Sequence, residues 1–172
     1  GEYDYSEEFL NYDPGDIFNV TAEVVYYISD AWRTALSLEY GTVFEDQLED
    51  EDYYQEGDYY LIDLFLYRTG KEWDATFNLS GLFRGKSEFQ DLNTGSLSEE
   101  DRDGYGDEYE FTLTYRYFLS DLTTLKTQGQ ILWITENDYA SDHPLYWGKR
   151  RKYSVGLGVT RKLTQAIDCE FF

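Results

Sequence analysis

The chain has 172 residues, enough for one domain with a sizeable core, and carries 14 Lys and Arg against 35 Asp and Glu, a formal charge of −21. That acidity argues against a nucleic-acid partner, because phosphate backbones select basic patches, while an aromatic share of 19% argues against wholesale disorder. A single cysteine, Cys169, rules out an internal disulfide, and no run of about 18 apolar residues offers a transmembrane helix.

Residues 1–16 open with GEYDY, alternating and aromatic, and are expected to be an external loop or the end of a preceding strand. Ile17–Phe44 then shows two alternating runs about Ser29-Asp30. Tyr59–Gly85 shows two about Thr69-Gly70-Lys71, Tyr109–Trp133 two about Ser120-Asp121, and Lys152–Phe172 two about Thr164-Gln165. Period-2 alternation marks strands, and Asp, Gly and Ser at the short links are hairpin-turn chemistry. Four hairpins, hence eight strands, are predicted. The connections between them, Glu45–Asp58, Glu88–Glu108 and Glu136–Gly148, are long and polar. Short and long links alternate, so an up-and-down sheet would carry its tight turns at one end and its long acidic loops at the other.

One phase of each strand is apolar. Its aliphatic residues fall mid-strand and its rings at the ends: Tyr26, Trp32, Trp73 and Tyr117 toward the turns, Phe18, Tyr40, Phe83, Tyr109, Trp133 and Tyr153 toward the loops. A soluble core has no reason to sort rings by height, whereas a membrane does, because aromatic rings favour the headgroup level. The opposite phase carries Glu23, Arg33, Glu39, Asp63, Asp74, Arg84, Glu110, Arg116, Lys126, Glu136, Lys162, Asp168 and Glu170. Eight acids and five bases are too many for a dry interior and suit a wet lumen, which should weakly favour cations. A soluble sandwich or lipocalin-like barrel is the competing fold.

These features resemble the outer-membrane β-barrel proteins of Gram-negative bacteria, the porin-like superfamily in the broad sense, over about Ile17–Phe172. The likeness rests on hairpin rhythm, girdles and loop asymmetry. More faintly, the chain looks like the barrel parts of export proteins that carry periplasmic helical repeats. The resemblance implies an all-β antiparallel up-and-down transmembrane barrel over residues 17–172, whole or in part, in the bacterial outer membrane with its long loops extracellular. It implies a porin-like channel or export conduit, not an enzyme. Its partners would be outer-membrane lipid and lipopolysaccharide, the rest of a larger barrel, or another protein. The alternative is a structural or interaction barrel with a salt-bridged interior, acting through its loops. One departure stands out. Counting back by twos from Phe172 gives Glu170 and Asp168, of the lumen phase, and both ends of the barrel region point to the long-loop side. A larger barrel, of which this is a piece, is the expected explanation.

Three local patterns invite chemistry. Glu99–Glu110 approximates a calcium loop, with Glu99, Asp101, Asp103 and Glu110 as hard oxygen ligands around Gly104; a solvated acidic loop is the simpler expectation, and no cofactor is required. Ser141, Asp142 and His143 are neighbours on a loop, but residues adjacent in sequence rarely aim at one another as a catalytic set. Lys149, Arg150, Arg151 and Lys152 are expected to answer the acidic loops or lipid phosphates. Cys169, in the lipid-facing phase, reads as a small apolar residue.

Overall fold

The computed structural model describes residues 12–162 and, as backbone, 168–171. The GEYDY segment, the Thr164-Gln165 turn, Ile167, Phe172 and the side chains of residues 168–171 lie outside the described residues. The strands are β1 (Tyr12–Asp13), β2 (Ile17–Tyr27), β3 (Trp32–Val43), β4 (Asp46–Leu48), β5 (Glu51–Gln55), β6 (Tyr59–Thr69), β7 (Trp73–Arg84), β8 (Glu88–Gln90), β9 (Leu97–Glu99), β10 (Glu108–Ser120), β11 (Thr123–Ile134), β12 (Arg150–Lys162) and β13 (Asp168–Phe171).

The long strands form one eight-stranded antiparallel sheet in the order β13-β12-β11-β10-β7-β6-β3-β2. Each strand pairs with its neighbour along the chain, as the four-hairpin pattern predicts. The expected closure into a barrel does not occur: β2 and β13 occupy opposite edges and do not pair. Closure needs matching edge ladders, and among the described residues β13 has four against the eleven of β2. The sheet is an open up-and-down meander.

Cross-strand register puts the two phases on opposite faces. On one, Val24 lies beside Leu36, Leu36 beside Leu64, and Leu64 beside Leu79. On the other, Glu23 lies beside Ser37, Ser37 beside Asp63, Asp63 beside Ser80, and Ser80 beside Glu110. The apolar face is bare: Val155 is 85% exposed and Leu157 and Val24 each 69%. Among the described residues, only Ala35 and Val43 are buried hydrophobics. A soluble sandwich of this size would bury a whole apolar face against a second layer, and none among the described residues covers this one.

The long connections are more ordered than solvated loops. They build a second, five-stranded sheet in the order β1-β4-β5-β8-β9 at the loop end. Tyr12–Asp13 joins this small sheet and not the main one. The β4–β5 hairpin turns through Glu49 and Asp50, both with positive φ (55° and 67°) between the paired Leu48 and Glu51. A two-residue turn of that kind favours Asn-Gly. Replacing Glu49 by Asn and Asp50 by Gly together should therefore stabilise the loop sheet by about 1 kcal/mol, read as slower amide exchange across β4 and β5.

A recurrent dipeptide, outside the alternating runs, joins the two sheets. Gly15-Asp16, Gly57-Asp58 and Gly106-Asp107 each precede a strand that runs from the loop end. The Asp carbonyl accepts from the residue just beyond the partner strand: Phe44 N to Asp16 O at 2.9 Å, Gly85 N to Asp58 O at 2.7 Å, Thr135 N to Asp107 O at 2.9 Å. A Cβ on the glycine would lie 2.1–2.2 Å from the carbonyl oxygen of Phe44, Gly85 or Thr135 respectively. Only glycine lets the chains approach this closely, so the first three hairpins are pinned where they meet the loops.

Candidate functional site

The polar face and the loop sheet at its end hold the chemistry. On the polar face, Arg116 grips Asp74 through two bonds of 2.7 Å, from Nε and Nη2. Lys126 is the next residue across from Arg116. Glu39 accepts from Thr21 at 3.0 Å and Tyr59 at 2.9 Å, and Arg33 lies over the Tyr67 ring at 4.4 Å. Arg84 reaches Glu108 at 2.6 Å and Glu56 at 3.9 Å, tying the wall to the loops. Thr76, Asn78, Ser80, Thr112 and Thr114 fill the middle of the face with small neutral polar groups. A shallow groove of about 200 Å³, lined by Lys126, Gln128, Gln130, Ser154, Gly156 and Gly158, lies along β11 and β12.

Register places Glu23, Arg33, Glu39, Asp63, Asp74, Arg84, Glu110, Arg116, Lys126 and Lys162 on this face, with the backbone positions of Asp168 and Glu170 in the same phase. Glu136 belongs to the loop after β11, where it meets Lys149 at 3.4 Å. The face also contains Glu108, Arg150 and Lys152, opposite Leu82, Ile134 and Leu132. Carrying the alternation one step further along β10 and β12 would have found them. With these additions the excess of acids over bases on the wall nearly vanishes.

On the opposite face most rings gather in two rows, with Phe77 and Phe111, in edge-on contact at 4.7 Å, lying between them. Toward the loops, Tyr40 faces Tyr60 at 5.2 Å, Phe83 meets Tyr109 edge-on at 5.8 Å, and Tyr109 meets Trp133 at 5.9 Å. Tyr60 is directly opposite Phe83, so the row crosses five neighbouring strands without a break. Toward the turns stand Tyr26, Trp32, Trp73 and Tyr117, with Trp73 directly across from Tyr117. Eight residues separate Phe18 from Tyr26, Trp32 from Tyr40 and Tyr109 from Tyr117. At about 3.4 Å per residue the rows stand roughly 27 Å apart along the strands. At the tilt of about 40° found in membrane barrels that spacing would span roughly 21 Å of height, against an apolar band of about 25 Å in such barrels.

Above the sheet the three long loops are knitted together. Tyr54 Oη contacts Ser87 Oγ at 3.2 Å and Tyr105 Oη at 3.1 Å. Burial pushes the Tyr54 phenol well up. Glu100 accepts from Ser87 N at 3.0 Å and Gly104 N at 3.1 Å. Asn137, 4% exposed, donates to Gly104 O and Leu145 O and accepts from Trp147 N. Phe89, Tyr105, Tyr139, Leu145 and Trp147 surround a cavity of about 230 Å³ between these loops.

The calcium-loop residues are dispersed. Glu99 pairs with Lys86 at 3.1 Å, Asp103 accepts from Tyr105 N at 2.8 Å, and Glu110 accepts from Thr112 on the polar face. Asp101 offers its backbone carbonyl to Lys86 Nζ at 3.2 Å. Among the described residues, no three such side chains gather as a metal site. His143 stacks on Tyr139 at 4.5 Å and its Nδ1 accepts from Leu145 N, with neither Ser141 nor Asp142 bonded to its ring.

Burial, and then the carboxylates of Glu100, Asp138 and Asp107, raise the Asp103 pKa, with the bond from Tyr105 N opposing. A raised carboxyl is stabilising below its unfolded pKa, near 4, and loses that contribution as pH rises through the folded value. Asp103→Asn keeps the acceptor for Tyr105. It should therefore raise the melting temperature at pH 7 and leave it unchanged near pH 3.

No protein-family model, curated protein or solved structure matches this chain.

Proposed function

We propose that this chain forms a section of the wall of an outer-membrane β-barrel that serves as a porin-like channel or export conduit. Lipid covers the apolar face, water fills the space behind the polar face, and the ordered acidic loops stand at the outer mouth. The observation that carries this reading is an exposed apolar face, bounded by two aromatic rows, on a sheet with almost no buried core. In water such a surface would drive aggregation; in a bilayer it is the solvent-matched side.

The open sheet supports a passage wider than eight strands. Eight strands alone would close around an interior filled by side chains. Further strands, from the same polypeptide or from other copies, would complete a wider barrel and leave a channel. The near balance of charge on the wall leaves a weak cation preference to the acidic loops, where Glu45–Asp58 alone holds eight acids.

The ordered loop sheet favours a second reading, a structural barrel acting through its external surface. Conductance separates the two. Protein purified from its native membrane and placed in a planar bilayer should give stepwise currents with weak cation preference. Insertion without current would overturn the passage in favour of the loops, and clear anion preference would overturn the assigned selectivity.

A further inference from the structure

Arginine is the one charged residue type on the apolar face of β2 to β12. Within β2 to β12, the charged residues in that phase of the main sheet are Arg68, Arg151 and Arg161, each at the end of its strand. In a chain with 35 acids and 14 bases, chance would place acids there more often than not. The sign points to an anionic partner at the rims of an apolar surface. A bilayer supplies that combination, with phosphate at the edge of the hydrocarbon.

Arg68 is the most developed of the three. It lies at the turn end of β6, directly between Trp32 of β3 and Ala75 of β7. Its Cζ stands 3.4 Å from the centre of the Trp73 ring and 5.9 Å from that of Trp32. Trp73 is in cation–π contact with the guanidinium and Trp32 lies at the outer limit of that reach, which leaves N–H groups of Arg68 to find acceptors. They find none among the described residues: the side chain makes no hydrogen bond or ion pair, and Nη1 is buried without a partner. The turn is drawn in against it, since a Cβ on Gly70 would lie 3.2 Å from Nη1. An arginine fixed in this way, at the level of the turn-end aromatic row, is prepared for a phosphate, whose paired oxygens match the guanidinium fork.

Resting on the membrane reading above, we infer that Arg68, with Trp32 and Trp73, binds the phosphate of an anionic glycerophospholipid in the leaflet at the tight-turn end. Trp73 and Trp32 orient the guanidinium and lie against the upper acyl chain. Arg161, in the same phase and toward the same end, marks a second place where an anionic headgroup is favoured.

The test uses the full chain in vesicles and has two arms. In phosphatidylcholine with brominated acyl chains, tryptophan fluorescence should be quenched. Absence of quenching would overturn the membrane reading and this site with it. In mixed phosphatidylglycerol and phosphatidylcholine, lipid retained through detergent extraction is counted by native mass spectrometry. Phosphatidylglycerol should be enriched several-fold, Arg68→Gln should remove most of that enrichment with quenching unchanged, and Arg68→Lys should restore only part of it. Inorganic phosphate should not displace the lipid. Quenching with equal retention of the two lipids, or full enrichment in Arg68→Gln, would overturn the site alone. Displacement by millimolar phosphate would overturn the lipid as its occupant.

Discussion

Leu113→Arg is expected to cost roughly 2–4 kcal/mol of stability in a lipid vesicle, the penalty for a cation on the lipid face at mid-depth. Leu113 lies on β10 four residues from Tyr109 and four from Tyr117, one ring of each aromatic row, so it is midway between the rows. It is 44% exposed and lies beside Phe77 and Gly129 on the same face. Were this face in water, arginine at so open a position would change stability by no more than about 0.5 kcal/mol. Two controls sharpen the result. Tyr117→Arg, at the turn-end row, should cost only about 0–1 kcal/mol, because the penalty falls toward the interface. Thr114→Arg turns onto the polar face beside Thr76 and Gln128 and should be mild. Urea unfolding from vesicles reads all three. Equal small effects at 113, 114 and 117 would sink the assignment of lipid to the apolar face.

Asn137→Ala is expected to destabilise the packing of the second and third long loops by about 3 kcal/mol, from three lost hydrogen bonds at a buried site. Its amide nitrogen reaches Gly104 O at 3.2 Å and Leu145 O at 2.8 Å, and its Oδ1 accepts from Trp147 N at 3.0 Å. One side chain thus joins the second and third long loops. Alanine would leave two carbonyls and an N–H without partners, in a place that water enters poorly. The main sheet should be untouched, because its ladders run from strand to strand below the loops. Amide exchange would show the separation: faster at Gly104, Leu145 and Trp147, unchanged in β10 and β11. Equal acceleration throughout would mean that loops and sheet unfold as one unit. The same variant tests the proposed passage: if the loops stand at its outer end, loosening them should change cation preference with little change in conductance.

The hairpins and the two faces were determined by the sequence itself. Alternation in Ile17–Tyr27 or Glu108–Ser120 is a local property, and Ser29-Asp30 or Thr69-Gly70-Lys71 closes a turn with no help from distant residues. Once short turns set the register, every side chain's face follows, which is why alternation alone is enough to put Glu23, Asp63 and Glu110 together. The aromatic rows were legible for the same reason, as height along a strand is only a count of residues. The mouth was not legible. Tyr54 pairs with Phe89, and Asn137 caps Gly104, across separations that no local pattern encodes. The Gly-Asp pairs were visible but mute, since their meaning lies in the close approach of a neighbouring carbonyl. Arg68 was visible too, yet only the placement of Trp32 and Trp73 on either side turned a charge in the wrong phase into a site. Whether the sheet closes depends on whether two distant edges match in length and position, and only the tertiary structure decided that, leaving β2 and β13 apart.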